Sequence, residues 1–330
     1  MSFLAFLQTP IVIAMLTIVL IIFVVILIKW LMQGGKYVKN TTANGKVVII
    51  TGANSGIGAE TALDMAKRGA RVYMACRDMA KCERVRQRII SETRNDEVYA
   101  LKLDLASMNS IREFVVEFKK RETRLDILIN NAGIMGCPPM LTKDGFEMQI
   151  GVNHMGHFLL TNLLLDWLKK STPSRIVVVS SLAHVWGKIK KDDLNSEKNY
   201  KPQKAYSQSK LANILFTREL AKRLTGTGVT VNALHPGVIA TDITRNMGGT
   251  FLNCFYNFVF KFPLWPFTKT IKNGAQTTIY AAIEPELTEV TGKYFSDCKL
   301  KEVAKHAQDD ELAAWLWNIS VEWTSLKNSI

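Results

Sequence analysis

Residues 47–58 read VVIITGANSGIG, and the rest of the chain is understood outward from them. Val47 to Ile50 is wholly apolar and β-branched, the pattern of a strand buried on both faces of a parallel sheet. Gly52, Gly56 and Gly58 follow at once, and a helical pattern begins at Ala59. Strand, tight glycine turn and helix N-terminus together make an anion site. Missing β-carbons let the backbone approach a pyrophosphate, and unpaired helix N–H groups point at it. The spacing is G-x3-G-x-G rather than the general G-x-G-x-x-G. An ordinary glycine loop is the plain alternative, and the flanking strand and helix count against it.

Downstream, short apolar runs alternate with helical stretches. Strands are expected at 71–76 (RVYMAC), 98–103 (VYALKL), 127–129 (ILI), 175–180 (RIVVVS) and 230–234 (TVNAL), with a closing strand at 293–296 (KYFS). Helices are expected at 110–121 and 211–224. This order predicts an α/β fold: one doubly wound, Rossmann-type parallel sheet of about seven strands.

Upstream, residues 11–28 contain a single polar residue, Thr17. As a helix they would be about 27 Å long, enough to cross a hydrocarbon core. A cleaved signal peptide fits poorly: no Lys or Arg precedes the run and no A-x-A site follows. Lys29, Lys36, Lys39 and Lys46 all lie after it, which predicts a body facing the cytosol. The division expected is a membrane anchor at 1–32, a tether at 33–45, a catalytic domain at 46–300 and a tail at 301–330. The stretch 248–270, GGTFLNCFYNFVFKFPLWPFTKT, is densely aromatic. It reads either as a core-facing helix with its loop or as a lid over an apolar ligand at the membrane surface.

The chain has 330 residues and a formal charge of +13. That balance suits a polyanionic cofactor or anionic lipid, and without a basic block interleaved with aromatics nucleic acid is not expected. Five scattered cysteines with no C-x-x-C suit free thiols in a reducing compartment. His154 and His157, spaced i, i+3, lack a third ligand at telling spacing, so no metal is expected.

Several residues carry chemistry. Arg77 ends the second strand, where an Arg accommodates the 2′-phosphate of NADP and a carboxylate would hold the ribose of NAD. Asp78, next to it, points the other way. Tyr206 and Lys210 place a phenol and an ammonium one helical turn apart. A nearby cation stabilises phenolate and lowers the tyrosine pKa, which suits proton transfer. Two other Tyr/basic pairs at this spacing fail on geometry: Tyr73/Arg77 lies on a strand, and Tyr200/Lys204 encloses Pro202. Ser180-Ser181 and Asn130-Asn131-Ala132-Gly133 close strands at the carboxyl edge, where open α/β sheets bind ligands.

Taken in order, TGANSGIG at 51–58, LDL at 103–105, NNAG at 130–133, Asn153, SS at 180–181, YSQSK at 206–210 and HPG at 235–237 resemble the short-chain dehydrogenase/reductases. CRD at 76–78, VNHMGHF at 152–158 and GKYFSDC at 292–298 look like the membrane-bound, NADP(H)-dependent retinol dehydrogenase branch. The resemblance implies that Tyr206 is the acid in carbonyl reduction and the base in alcohol oxidation. Lys210 would lower its pKa and hold the nicotinamide ribose, Ser181 would bind the carbonyl oxygen, and Asn153 would support a proton-relay water. It further implies NADP(H) held by Gly52, Asn54, Ser55, Gly56, Ile57, Gly58, Arg77, Asp104, Asn131, Ala132, Gly133, Pro236 and Gly237. Ser55 departs from many NADP-preferring relatives, which are basic there, so Arg77 is expected to read the phosphate largely alone.

The expected activity is hydride transfer between NADP(H) and an apolar, retinoid-like aldehyde or alcohol at the endoplasmic reticulum membrane. A sterol or a lipid-derived aldehyde is the nearest alternative, and a non-catalytic NADPH-binding scaffold a more distant one. A homodimer stays open.

Overall fold

The structure, a computed structural model, describes residues 10–239 and 265–326. Among the described residues one helix, α1 (Pro10–Leu31), precedes the domain; it is long and apolar enough to cross a membrane, and none of its residues is buried. The domain then alternates β1 (Val47–Thr51), α2 (Gly56–Lys67), β2 (Arg71–Cys76), α3 (Met79–Thr93), β3 (Val98–Lys102), α4 (Met108–Arg121) and β4 (Ile127–Asn130). After α5 (Gly156–Lys170) come β5 (Ser174–Val179), α6 (Pro202–Arg223) and β6 (Val229–His235). The described chain closes with α7 (Ile271–Ile283), β7 (Tyr294–Ser296), β8 (Lys299–Lys301) and α8 (Asp310–Trp323).

The sheet order is β3-β2-β1-β4-β5-β6-β7-β8, parallel throughout except for the last pair. β1 is buried along its whole length, as an inner strand covered on both faces must be. Two apolar layers sandwich the sheet. On one face, side chains of α4, α5, α6 and α8 pack together; on the other lie those of α2, α3 and α7. Each fully buried large apolar side chain contributes about 1.5–3 kcal/mol to that packing.

Sequence and structure differ in places with physical causes. An eighth strand follows the expected seventh: β8 is three exposed residues, KLK, whose only strand signal is its pairing with β7. The helix carrying Tyr206 starts at Pro202, nine residues before the expected 211, because Pro suits a first helical position. The described part of the tail, 301–326, packs on the domain. Its helix α8 lies along α6, burying Trp317 against Phe158 and Phe216.

The tether at 33–45 is docked against the domain. Gln33 accepts from Thr270 N at 3.0 Å and Asn273 Nδ2 at 2.9 Å. Tyr37 is buried edge-on against Tyr280. Lys39 pairs with Glu284 and Glu286, each at 2.8 Å, and Arg68 donates to the carbonyls of Lys39 and Thr41. Of the aromatic stretch at 248–270, residues 248–264 lie outside the described residues. Its end forms a short 3-10 turn, Trp265–Phe267, followed by Lys269, which bridges to Ile239.

Candidate active site

Because the seven strands through β7 are parallel, the ends of β1, β2, β4 and β5 share one edge of the sheet. The winding reverses between β1 and β4, which are neighbours in the sheet but not in sequence. That is where an open α/β sheet leaves a crevice. A cleft of about 300 Å³ lies there.

The glycine turn forms its floor. Gly52 and Gly56 have φ of +67° and +54°, a region that favours glycine. A Cβ on Gly58 would collide with the Gly52 carbonyl and the Asn131 amide. No side chain caps the N-terminus of α2, so its first N–H groups are left for an anion. The cradle therefore fits a pyrophosphate. Asn54, Ser55, Ile57, Arg77, Asp104, Asn131, Ala132 and Gly133 line the same cleft. Thr51 ties the two central strands together: its hydroxyl accepts from the N–H groups of Asn131 and Ala132, both at 2.9 Å. The Asp104 carboxylate accepts from Ala106 N at 3.1 Å, which fixes the turn after β3. Pro236 and Gly237 are not part of this cleft wall. They follow β6, and Gly237, at φ +101°, packs against the Lys269 stem, which leaves no room for a side chain.

The second group lies on the same edge, around β5. Ser180 donates to the Lys210 carbonyl at 2.7 Å and is thereby committed to holding α6. Ser181 caps the 3-10 turn Leu182–Trp186, its hydroxyl accepting from Ala183 N at 3.2 Å. Lys210 is buried, with Nζ donating to the Val179 carbonyl at 3.1 Å and lying 5.7 Å from the Tyr206 ring centroid. Burial brings Lys210 down to about 8. Burial also raises Tyr206 above its ordinary value, and the Ser181 hydrogen bond works against that rise. Desolvation is the larger influence on the phenol here, and Ser181 opposes it.

Asn153 sits in a π-helical turn, Gly151–Met155, that leads into α5. Its Oδ1 accepts from Ile134 N at 2.9 Å, while Nδ2 donates to Ile134 O at 3.0 Å and to Ser209 Oγ at 2.9 Å. Ile134 lines the cleft and Ser209 precedes Lys210, so Asn153 joins the two halves of the site. His157 is buried neutral, its pKa lowered to about 4 by burial, bonding Thr51 Oγ1 at 2.9 Å and the Asn153 carbonyl at 3.1 Å. His154 likewise bonds Ser320 Oγ at 2.9 Å. Both rings serve the fold, and no group of three or more metal-ligating side chains occurs among the described residues.

The family model for short chain dehydrogenase matches residues 46–250. This chain belongs to that family. The dehydrogenase is 51% identical to retinol dehydrogenase 13 of Homo sapiens over 92% of this chain and 91% of that protein. It is also 51% identical to retinol dehydrogenase 12 of Mus musculus, over 89% and 91% of the two chains. Among solved structures, an uncharacterised protein from Mycobacterium paratuberculosis is 37% identical, with a TM-score of 0.71, covering 88% of this chain and 97% of that one. An NADP complex of RhlG from Pseudomonas aeruginosa is 25% identical, with a TM-score of 0.60 over 77% and 95%. The dehydrogenase is an oxidoreductase that acts on CH–OH groups with a nicotinamide cofactor.

Sequence reading missed Lys81, which lines the dehydrogenase's cleft from the first turn of α3, four residues past Arg77. The i, i+4 spacing of two basic residues at a strand-to-helix turn was the available signal. It also missed Ser180 and Ser209 as the hydroxyls that hold α6 in place.

Proposed function

We propose that this protein is a membrane-spanning, NADP(H)-dependent retinaldehyde reductase and retinol dehydrogenase whose catalytic domain faces the cytosol from the endoplasmic reticulum. The observation that carries the reading is the pairing on α6 of buried Tyr206 with buried Lys210, whose Nζ stands 5.7 Å from the phenol ring centroid at the ligand-binding edge. The 51% identity to proteins named retinol dehydrogenase supports the substrate class. The lysines that follow α1 support the orientation.

In this reading a substrate carbonyl accepts hydrogen bonds from Ser181 and Tyr206 together. Tyr206 then gives its proton to the oxygen as negative charge develops there. The nicotinamide, when bound, supplies the hydride in reduction and accepts it in oxidation. Burial raises the Tyr206 pKa, the direction that suits a proton donor in reduction. In this reading Lys210, held against the Val179 carbonyl, also donates to the nicotinamide ribose. Asn153 holds the cleft wall and α6 in register.

The preference for NADP rests on three side chains. Arg77 and Lys81 both line the cleft beyond β2 and supply positive charge for a 2′-phosphate. Asp78, which would favour NAD if turned to the ribose, instead caps α3 by accepting from Lys81 N at 2.9 Å. The purified full chain in detergent, screened with NADPH against retinoids, steroids and aliphatic aldehydes, tests the reading. Preference for a steroid or lipid aldehyde over retinaldehyde would replace the substrate and leave the chemistry intact.

A further inference from the structure

The last turn of α1 is tied to the domain at one place. Lys29 Nζ donates to the carbonyls of Trp265 and Thr268, at 2.9 and 2.6 Å, and to Thr268 Oγ1 at 3.2 Å. It also stands 4.7 Å from the centre of the Trp265 ring. Gln33, four residues on, donates to the same Thr268 carbonyl and accepts from Thr270 N and Asn273 Nδ2. A lysine at the end of a membrane helix ordinarily snorkels to the headgroups. Here the domain's own carbonyls take that ammonium, so the Trp265–Phe267 turn lies within one side chain's reach of the helix end.

That reach sets a depth. From Pro10 to Lys29 the helix rises about 29 Å, close to the thickness of the hydrocarbon core. Trp265 and Phe267 are 51% and 48% exposed, and Trp30 is 70% exposed. Aromatic rings left open at this level match the belt where Trp sits among headgroups. The turn continues directly into Lys269, which bridges to Ile239, two residues past Gly237.

We propose that the Trp265–Phe267 turn is a second membrane contact, seated at the headgroup–acyl boundary of the bilayer that α1 crosses. It holds the ligand-binding edge of the sheet against the lipid surface, so that an apolar substrate enters from the bilayer. The contact itself is independent of the activity; substrate entry rests on the proposed function.

The test uses the full chain in phosphatidylcholine nanodiscs. Phe267→Cys carrying an environment-sensitive nitrobenzoxadiazole dye should be quenched by lipids spin-labelled high on the acyl chain and shielded from aqueous iodide. The same dye at Val116→Cys, on α4, should show the reverse. Quenching of both positions by iodide alone overturns the contact. For entry, Trp265→Ser/Phe267→Ser should raise KM for retinaldehyde presented in vesicles about tenfold. The same variant should change kcat/KM for the water-soluble 4-nitrobenzaldehyde less than about twofold. Equal loss on both aldehydes overturns entry from the bilayer. Retinaldehyde left unreduced by a wild-type protein that reduces 4-nitrobenzaldehyde would instead sink the substrate assignment, with the quenching result still standing on its own.

Discussion

The Asn153 amide donates to the Ser209 hydroxyl at 2.9 Å, and Ser209 in turn donates to the Tyr206 carbonyl at 2.7 Å. The same amide takes both backbone hydrogen bonds of Ile134. One buried side chain thus fixes the cleft wall relative to the helix that carries the proposed proton donor. Asn153→Ala would leave the Ile134 N–H and C=O unpaired, at a cost of about 2–4 kcal/mol. Ser209→Ala leaves Ile134 satisfied and should cost only about 1 kcal/mol. Denaturant midpoints of the two variants check the order, and equal losses would show that the Ile134 bonds carry no special weight.

Tyr206→Phe removes the acidic proton and keeps the ring. Turnover should fall by at least about 10²-fold, with NADPH affinity within roughly a factor of two. Stopped-flow reduction and fluorescence titration separate the two effects, and a variant that still turns over would remove Tyr206 from the chemistry.

Arg77→Ala and Lys81→Ala should each raise the KM for NADPH about tenfold and leave that for NADH nearly unchanged. Asp78→Ala should lower stability by about 1 kcal/mol, the cost of a lost helix cap, without improving or harming NADH use. If NADH binding weakens with Asp78→Ala, that carboxylate reads the ribose after all.

Acid should unfold this protein by a route the buried histidines set. Burial holds His154 and His157 at about 3 and about 4, below the ordinary 6.5. Between those values and 6.5 the unfolded chain binds protons that the native state refuses, so stability is full above about pH 6.5 and falls below it. The slope is about 1.4 kcal/mol per pH unit for each histidine. Melting temperature measured from pH 7.5 to 5 should show the decline, and His154→Gln should make it shallower. A flat profile would contradict the burial of these rings.

The reduction rate should also respond to pH. As an acid Tyr206 works while protonated, and burial raises its pKa, so reduction should hold through neutrality and decline only at alkaline pH. Oxidation, which needs the phenolate, should rise over that same alkaline range. Initial rates in both directions check the crossing.

The sheet was legible because inner parallel strands must be apolar on both faces, and β1, β4 and β5 are just such short runs. The cleft was legible for a related reason: glycines at 52, 56 and 58 have no other good use between a strand and a helix. What escaped reading depends on contacts distant in sequence. β8 is polar and owes its strand geometry to β7. The weight of Asn153 depends on a π-helical turn, which leaves no periodicity to find. Lys81 joins Arg77 in the cleft because β2 and α3 bring the two together, which their i, i+4 spacing only hints at. The burial of Tyr206, which raises its pKa, likewise depends on packing that spacing along α6 does not display.

The docked stretch before β1 bears on how this enzyme can be handled outside a membrane. A soluble form begun at Lys46, where the dehydrogenase match itself begins, would strip Tyr37 from Tyr280 and leave buried Glu284 without its lysine. It would also deny Asn273 the Gln33 oxygen it donates to. Trimming should stop at Gln33, so that only the apolar helix is discarded and the strap across α2 and α7 travels with the catalytic body.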